Sequence, residues 1–409
     1  MIDKRIRQLI KEESKRQNKG LELIASENYA SKEVKRLCGS LFTNKYAEGF
    51  PGKRYYGGCE VVDKLESECQ KAICDLFGCR FANVQPHSGS QANAAAFKAL
   101  EILLFGKSKD HRKMKILSLS LDEGSHLTHG SPASFSSYTY DFSFFKLGKN
   151  GKINYDFVDM AVRDTRPDVI LCGYSAYPYI INFKKFKAIA DKYGCLLMAD
   201  VAHIAGLIVT KNHPSPFPYC DIVTSTTHKT LRGPRGGIIL TNNEELYKYI
   251  NFAIFPYSQG GPLENIIAAK YQMAIEAKSP KFAEYIKTLL ANTKALADYL
   301  KLKKVKVLGT ENHLFLIDVM TSFKLTGKIA QDRLEECGIT VNKNMIPGDT
   351  LSPTITSGLR IGLAALTTRG LKPEQCKELG DLIYNSLQFN ATTKKDVKAF
   401  IKKNKLKKI

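Results

Sequence analysis

Between residues 81 and 240 the chain alternates short apolar runs with stretches of helical period. Phe81-Ala-Asn-Val-Gln, Lys115 to Ser120, Asp168 to Gly173, Cys195 to Asp200, Asp221-Ile-Val-Thr and Ile238-Ile-Leu each read as strands. Helices fit between them, at Ala94 to Leu100 and Phe183 to Tyr193. That alternation predicts an α/β domain with a mostly parallel sheet covered on both faces. Upstream, residues 3 to 18 read as a charged amphipathic helix, Lys32 to Leu41 as a short one, and Val61 to Phe77 as a helix stopped by Gly78. A long helical region from about 263 to 301 leads to a smaller C-terminal α+β domain. That domain has a strand at His313 to Val319, a helix at Gly327 to Cys337, a short apolar strand around Arg360 and a closing helix from Pro373 to Leu387. The expected division is an N-terminal helix and arm (1–48), a large domain (49–272), a small domain (273–392) and a lysine-rich tail (393–409).

In such sheets ligands bind at the carboxyl ends of the strands, and the chemistry-bearing residues cluster there. Lys229 lies in Ser225-Thr-Thr-His-Lys-Thr-Leu-Arg-Gly-Pro-Arg-Gly-Gly, between two apolar runs that read as strand, polar turn and strand. A lysine whose charge is disfavoured can lose its proton and form a Schiff base. A solvated surface turn is the competing reading, since the chain has 47 lysines. Asp200 tilts the choice: it ends a buried-looking strand 29 residues before the lysine, with His203 one turn on. An acid there suits a pyridine nitrogen that must stay protonated, so aspartate, histidine and lysine in this order point to pyridoxal phosphate (PLP).

Other stretches support this reading. Ser88-Gly-Ser90-Gln opens a helix whose free N–H groups suit a phosphate, or are capped by the serine alone; the dinucleotide pattern GxGxxG is absent. His126 follows a strand end, where a ring can lie flat on an aromatic cofactor. Residues 43–59 carry too many glycines for a helix and too many aromatics for a linker, which marks a functional loop or a structural arm. Arg360 needs an anion, either a substrate carboxylate or a structural partner.

Composition narrows the remaining classes. At 409 residues, 44% hydrophobic, the chain can bury a large core. No apolar run reaches a membrane span of roughly 20 residues, and Met1-Ile-Asp-Lys-Arg-Ile-Arg lacks a signal core, so the expected location is cytoplasmic. Ten scattered cysteines without CxxC or zinc spacing suggest reduced thiols and no metal site. The net charge of +21 raises nucleic-acid binding, but only 14 of 61 basic residues are arginine and no aromatic-studded basic motif occurs. Eight lysines against Asp396 from Thr393 onward read as a solvated end, frayed or weakly helical.

At this depth the chain resembles the serine hydroxymethyltransferases, PLP enzymes of fold type I (aspartate aminotransferase-like). The resemblance runs from about Leu21 to Gly370 and rests on Glu22-Leu-Ile-Ala-Ser-Glu-Asn-Tyr, Thr43-Asn-Lys-Tyr-Ala-Glu-Gly, Pro51-Gly-Lys-Arg-Tyr-Tyr-Gly-Gly and Asn83-Val-Gln-Pro-His-Ser-Gly-Ser-Gln-Ala-Asn. His126-Leu-Thr-His-Gly-Ser-Pro, Asp200-Val-Ala-His-Ile-Ala-Gly-Leu, Thr226 to Gly237, Asn312-His-Leu-Phe-Leu, Leu325-Thr-Gly-Lys and Thr340-Val-Asn-Lys-Asn extend it. It implies transfer of the serine hydroxymethyl carbon to tetrahydrofolate, reversibly, giving glycine and 5,10-methylenetetrahydrofolate through a quinonoid state. It also implies a homodimer with shared sites, or a pair of dimers.

By the same resemblance Lys229 holds PLP covalently, Asp200 pairs with the ring nitrogen, His126 stacks on the ring, and Ser175 and His203 lie near its hydroxyl. Gly89, Ser90 and the Gly260-Gly261 turn take the phosphate, with His228 and Arg235 also beside the cofactor. Ser26 and Arg360 take the amino acid's carboxylate; Tyr46, Glu48 and Tyr56 come from the neighbouring subunit. Glu48 shuttles the proton between serine and folate, and cover by tyrosines would raise its pKa towards working pH. Leu121, Leu127, Asn344 and Phe255 belong to the folate pocket.

The chain departs from the family pattern at Asp122-Glu-Gly-Ser before His126, at Tyr257-Ser258, and at Glu264-Asn265. These changes are expected to weaken folate affinity or dimer contacts, and they leave two rival readings. One is a folate-independent PLP aldolase of 3-hydroxy amino acids; the other is a non-catalytic nucleic-acid-binding relative.

Overall fold

The structure, a computed structural model, describes residues 2–108 and 110–409. Contacts divide the chain into two compact units, one of residues 30–175 and 180–283, the other of residues up to 29, 176–179 and 284–409. The expected boundaries differ from these in several places, and residues 30–48 and 273–283 fall in the first unit. The first 29 residues group with the C-terminal part, the short insert 176–179 joins them, and the last residues are integral to that unit.

The first unit is built on a seven-stranded sheet of β1 (Phe81–Asn83), β2 (Lys115–Leu119), β3 (Asp141–Phe145), β4 (Val169–Cys172), β5 (Leu196–Asp200), β6 (Ile222–Thr226) and β7 (Gly237–Thr241), in the spatial order β1-β7-β6-β5-β4-β2-β3. From β6 to β3 every pairing is parallel. β7 alone runs antiparallel, to both of its neighbours. The cause is local: β6 and β7 are joined by the turn carrying Lys229, and a turn without a crossover helix can only return the chain antiparallel. The core packs Phe97 and Leu100 of helix Gly89–Phe105 and Leu246 and Ile250 of helix Glu244–Ile254 with Ile116, Leu171, Met198, Ile222 and Ile239 of the strands. Each fully buried side chain of this kind contributes about 1.5–3 kcal/mol.

Several elements of this unit were not expected from the sequence, among them the core helix Glu244–Ile254, β3 and helix Tyr155–Thr165. β3 is an edge strand with partly exposed residues, and helix Tyr155–Thr165 buries only Val158 and Val162. The long helical region after residue 263 is two helices, Glu264–Ala277 and Pro280–Leu302, interrupted at Lys278-Ser279.

The second unit holds a four-stranded antiparallel sheet in the order Val307–Leu308, Leu314–Asp318, Gly358–Gly362, Asn342–Asn344. Leu21–Glu22 pairs in parallel with Ile339–Thr340. The lysine-rich end is a correction to the expected solvated tail. It forms helix Lys394–Lys403, capped reciprocally by Thr393 and Asp396, with Val397 and Phe400 buried. Arg369 is 2% exposed, and its guanidinium donates to the carbonyls of Gln17, Asn18, Gly20 and Lys407.

Candidate active site

In the first unit, β4, β5 and β6 bring their carboxyl ends together. After β4, Gly173 adopts φ +94°, and a Cβ there would sit 1.9 Å from the Asp200 carbonyl oxygen, so only glycine lets the two strand ends approach. Ser175, just beyond, donates its N–H to the Gly124 carbonyl at 3.0 Å.

Asp200 ends β5 with its carboxylate almost wholly covered, at 12% side-chain exposure. Its Oδ2 accepts from Asn93 Nδ2 at 2.9 Å and lies 3.3 Å from His129 Nε2; its Oδ1 accepts from the Ala202 N–H at 3.0 Å. Burial alone would raise this carboxyl's pKa. The His129 hydrogen bond and charge, with His126 and Lys229 nearby, outweigh burial and hold it well below the usual carboxylate range. Asp200 therefore stays ionised at neutral pH.

The donors to Asp200 are themselves braced. Asn93 also donates to Thr128 Oγ1 at 2.8 Å and accepts from Thr224 Oγ1 at 2.6 Å. His129 is fully buried, with Nδ1 3.1 Å from Ser125 Oγ. His126, half-buried, has Nδ1 2.7 Å from Thr128 Oγ1 and meets His129 edge to face at 5.5 Å. His126, His129 and Asp200 bring one ligand atom each within 4.8 Å of one another, the spacing of a metal site. In this setting the close approach is accounted for by the Asp200 hydrogen bonds just described.

Lys229 sits on the β6–β7 turn, 8% exposed. The turn is stitched to the segment after Asp200. Thr230 Oγ1 donates to the His203 carbonyl at 3.0 Å and accepts from the Gly206 N–H at 3.0 Å. Gly206 is required by contact, since its Cβ would lie 2.8 Å from the Thr230 carbonyl oxygen. His203 is itself buried. His228, beside the lysine, is pushed down to about 3 by burial, then by the charges of Arg235 and Lys229, so it is neutral. Its Nδ1 is a buried atom without a hydrogen-bond partner, and so is Thr226 Oγ1 at the end of β6. Arg235 is exposed.

Helix Gly89–Phe105 starts against that turn. Ser88 Oγ caps it by accepting from the Gln91 N–H at 3.2 Å. A Cβ on Gly89 would fall 2.6 Å from Thr226 Cγ2, and one on Gly237 would fall 2.4 Å from the Ser88 carbonyl oxygen. Gly89 is half-buried and Ser90 exposed. Gln259 links the same region to the Gly260-Gly261 turn: its Nε2 donates to the Gln85 carbonyl, and its Oε1 accepts from the His87 N–H.

Glu48 is half-buried and accepts from the exposed Tyr56 hydroxyl at 3.1 Å. Tyr46 meets Tyr56 edge to face at 5.5 Å. A Cβ on Gly260 would lie 3.2 Å from Glu48 Oε1, and one on Gly261 would lie 3.1 Å from Tyr46. Tyr46, Glu48, Tyr56 and the Gly260-Gly261 turn are therefore one cluster within one chain. Arg54 braces it by donating to the carbonyls of Ala47 and Gly49, on either side of Glu48. Leu127 is 56% exposed and Leu121 37% exposed, while Phe255 packs on Tyr55 at 5.3 Å between ring centroids.

The departures from the family pattern are accommodated locally. Glu123 is buried and accepts from the Leu147 N–H. Lys98 lies over the Tyr257 ring at 5.2 Å, and Ser258 Oγ donates to the Ala253 carbonyl. Asn265 donates to the Cys38 carbonyl, and Glu264 is buried 3.6 Å from Arg54.

In the second unit, Arg360 lies mid-strand with Nε donating to Asn342 Oδ1 at 3.1 Å, and burial pushes its guanidinium down to about 10. Ser26 follows a segment packed on the same strand, where the Gly362 N–H donates to the Leu23 carbonyl at 2.8 Å. Asn344 pairs with Gly358 on the neighbouring strand. Asn93, Thr128, His129 and Thr224 were not singled out from the sequence. The His-x-x-His spacing of residues 126 and 129 was the one local signal available.

A mixed sheet with a strand-end acid and a lysine on the following hairpin defines an α/β transferase of fold type I, the aspartate aminotransferase-like class. The profile of the family described as serine hydroxymethyltransferase matches residues 1–383. The chain is 51% identical over 386 residues to a serine hydroxymethyltransferase of Mycoplasma mycoides subsp. mycoides, covering 94% of this chain and 91% of that one. Similar proteins of the same name come from Wolinella succinogenes, 48% identical with 98% and 96% covered, and from Helicobacter pylori strain G27, 49% identical with 97% and 95% covered. The chain belongs to the serine hydroxymethyltransferase family. These likenesses support an enzyme of that class and neither the folate-independent aldolase nor the nucleic-acid-binding relative.

Proposed function

We propose that this chain uses PLP to move the serine hydroxymethyl group to tetrahydrofolate, releasing glycine and 5,10-methylenetetrahydrofolate. The single observation that carries the cofactor is the ionised, buried Asp200 carboxylate, with the orphaned His228 Nδ1 and Thr226 Oγ1 on the strand and turn that carry Lys229. Such atoms are costly to bury without a partner, and a bound polar group would satisfy them.

Lys229 would hold the aldehyde carbon covalently and Asp200 the ring nitrogen. Gly89 and Ser90, at a helix start with free N–H groups, would take the phosphate, and His126, Ser175 and His203 would flank the ring. When bound, the cofactor supplies an electron sink for the bond that breaks. The chain supplies the rest. Asp200 keeps a negative charge fixed where a ring proton must stay. Arg360 and Ser26 would grip the amino acid's carboxylate through charged and hydroxyl donors. Glu48 would take and return the hydroxyl proton, oriented by Tyr56. Leu121, Leu127, Asn344 and Phe255 would line the folate site.

A homodimer fits the surface chemistry. Tyr46, Tyr55 and Tyr56 are all exposed around Glu48, and Ile6, Leu9 and Ile10 are exposed along the N-terminal helix. A second copy would cover them. Among the described residues no helix is long and apolar enough to cross a membrane, which agrees with a cytoplasmic enzyme.

The test is spectroscopic and kinetic. Purified protein should carry the absorbance of a lysine-bound PLP and convert serine to glycine faster when tetrahydrofolate is added. Lys229→Ala should bind PLP without that absorbance and lose turnover by at least about a hundredfold. Glycine formation indifferent to folate would overturn the transfer reading.

A further inference from the structure

Lys270 is 1% exposed in helix Glu264–Ala277, and the proposed chemistry does not use it. Its ammonium donates to three backbone carbonyls: Val84 at 2.6 Å, Pro86 at 3.0 Å and Gly237 at 2.9 Å. An ammonium has three N–H groups and no acceptor, so every donor is matched. Two of the carbonyls belong to the segment that leads into the Ser88–Gly89 helix start. The third belongs to the strand that leaves the Lys229 turn. The two stretches also meet directly, since the Gly237 N–H donates to the Pro86 carbonyl at 3.0 Å.

We propose that Lys270 is a positioning residue whose buried ammonium fixes the helix start at Ser88–Gly89 and the Lys229 turn in one register. The register matters because the cofactor as read above is held at both places, by its phosphate and by its aldehyde. A neutral side chain of similar length would leave three buried carbonyls without this donor. Those carbonyls would then have to part and recruit water, widening the distance between phosphate cradle and amine. Burial pushes the ammonium down to about 8, opposed by the neighbouring Cys69 and Glu66 of helix Glu60–Phe77. The three carbonyl oxygens favour the protonated form further, because each accepts only from an N–H.

This inference rests on the PLP reading, and the experiment separates the two. Hydrogen exchange of residues 84–91 and 227–237 is measured on the cofactor-free protein, and PLP affinity is measured by titration. Lys270→Met should speed exchange selectively in those two stretches and weaken PLP binding by at least about tenfold. Ile267→Ala, a buried control on the same helix, should loosen the helix without that selectivity. Gly236→Ala is the second variant, since its Cβ would lie 2.6 Å from Lys270 Cε and displace the ammonium while keeping its charge. It should reproduce the Lys270→Met pattern, which covers the case in which Lys270→Met does not fold. Normal exchange and PLP affinity in a folded Lys270→Met, or effects that merely match Ile267→Ala, would overturn the positioning role. Wild-type protein that binds no PLP would instead overturn the cofactor reading, while the exchange data would still report on the clamp.

Discussion

Asn93 Nδ2 lies 2.9 Å from Asp200 Oδ2 and 2.8 Å from Thr128 Oγ1, so one amide joins helix Gly89–Phe105 to the acid at the end of β5. Asn93→Ala removes a donor to a buried charge and leaves Thr224 Oγ1 without its 2.6 Å acceptor. The expected cost is about 1–3 kcal/mol of stability, read as a lower denaturation midpoint at an unchanged denaturant slope. PLP affinity should fall with it. An unaltered midpoint would mean that water replaces the amide without loss.

His129 sets a pH dependence through Asp200. The folded-state pKa of Asp200 is depressed, so the stability it confers is present above its unfolded value of about 3.9 and is lost as pH falls through the folded value. His129→Phe removes the largest opposing contribution to burial, so the folded value should rise. The variant should be less stable than wild type at pH 6, and the gap should narrow towards pH 3. Thermal melts across that range read this out; a gap independent of pH would show that His129 acts by packing alone.

Two glycines with left-handed backbones should respond very differently to alanine. Gly173→Ala places a Cβ 1.9 Å from the Asp200 carbonyl oxygen, whereas Gly78→Ala meets nothing within 4 Å. The second should cost about 1 kcal/mol from backbone strain, the first more than about 3 kcal/mol because β4 and β5 must separate. Comparable melting temperatures for the two variants would show that the strand ends yield easily.

Glu264 is buried with both carboxylate oxygens lacking a hydrogen-bond partner, and burial, then the nearby Glu66, pushes it up to about 8. A carboxyl raised in the folded state binds its proton more tightly there. Stability therefore falls as pH climbs from the unfolded value, about 4.3, through 8. Glu264→Gln should be near neutral at pH 5 and more stable than wild type by on the order of 3 kcal/mol at pH 9. Equal stability at both pH values would mean that Arg54, 3.6 Å away, already neutralises the charge.

Much of the first unit was legible because buried strands leave continuous apolar runs, as at Leu196 to Asp200, and because Lys229 and Asp200 mark the ends of such runs. β3 and helix Tyr155–Thr165 were not read from the sequence; each buries little, Phe145 in the strand and Val158 and Val162 in the helix. The donor shell of Asp200 escaped for another reason. Asn93 and Thr224 are 131 positions apart in the chain, and short polar side chains carry no period from which such a meeting could be read. The insert 176–179 is similar: it joins the second unit through the Asn312 amide on the Tyr177 carbonyl and the Glu311 N–H on the Pro178 carbonyl. At the lysine-rich end, charge masked the two buried residues, Val397 and Phe400, that seat its helix.

Arg369 carries a practical lesson for anyone handling this protein. With the carbonyls of residues 17, 18, 20 and 407 all on one guanidinium, an affinity tag or a trim at residue 405 is not a remote edit. It pulls on the anchor of the opening helix, so a preparation shortened there should melt earlier and be cut sooner by protease near residue 18, far along the chain from the change itself.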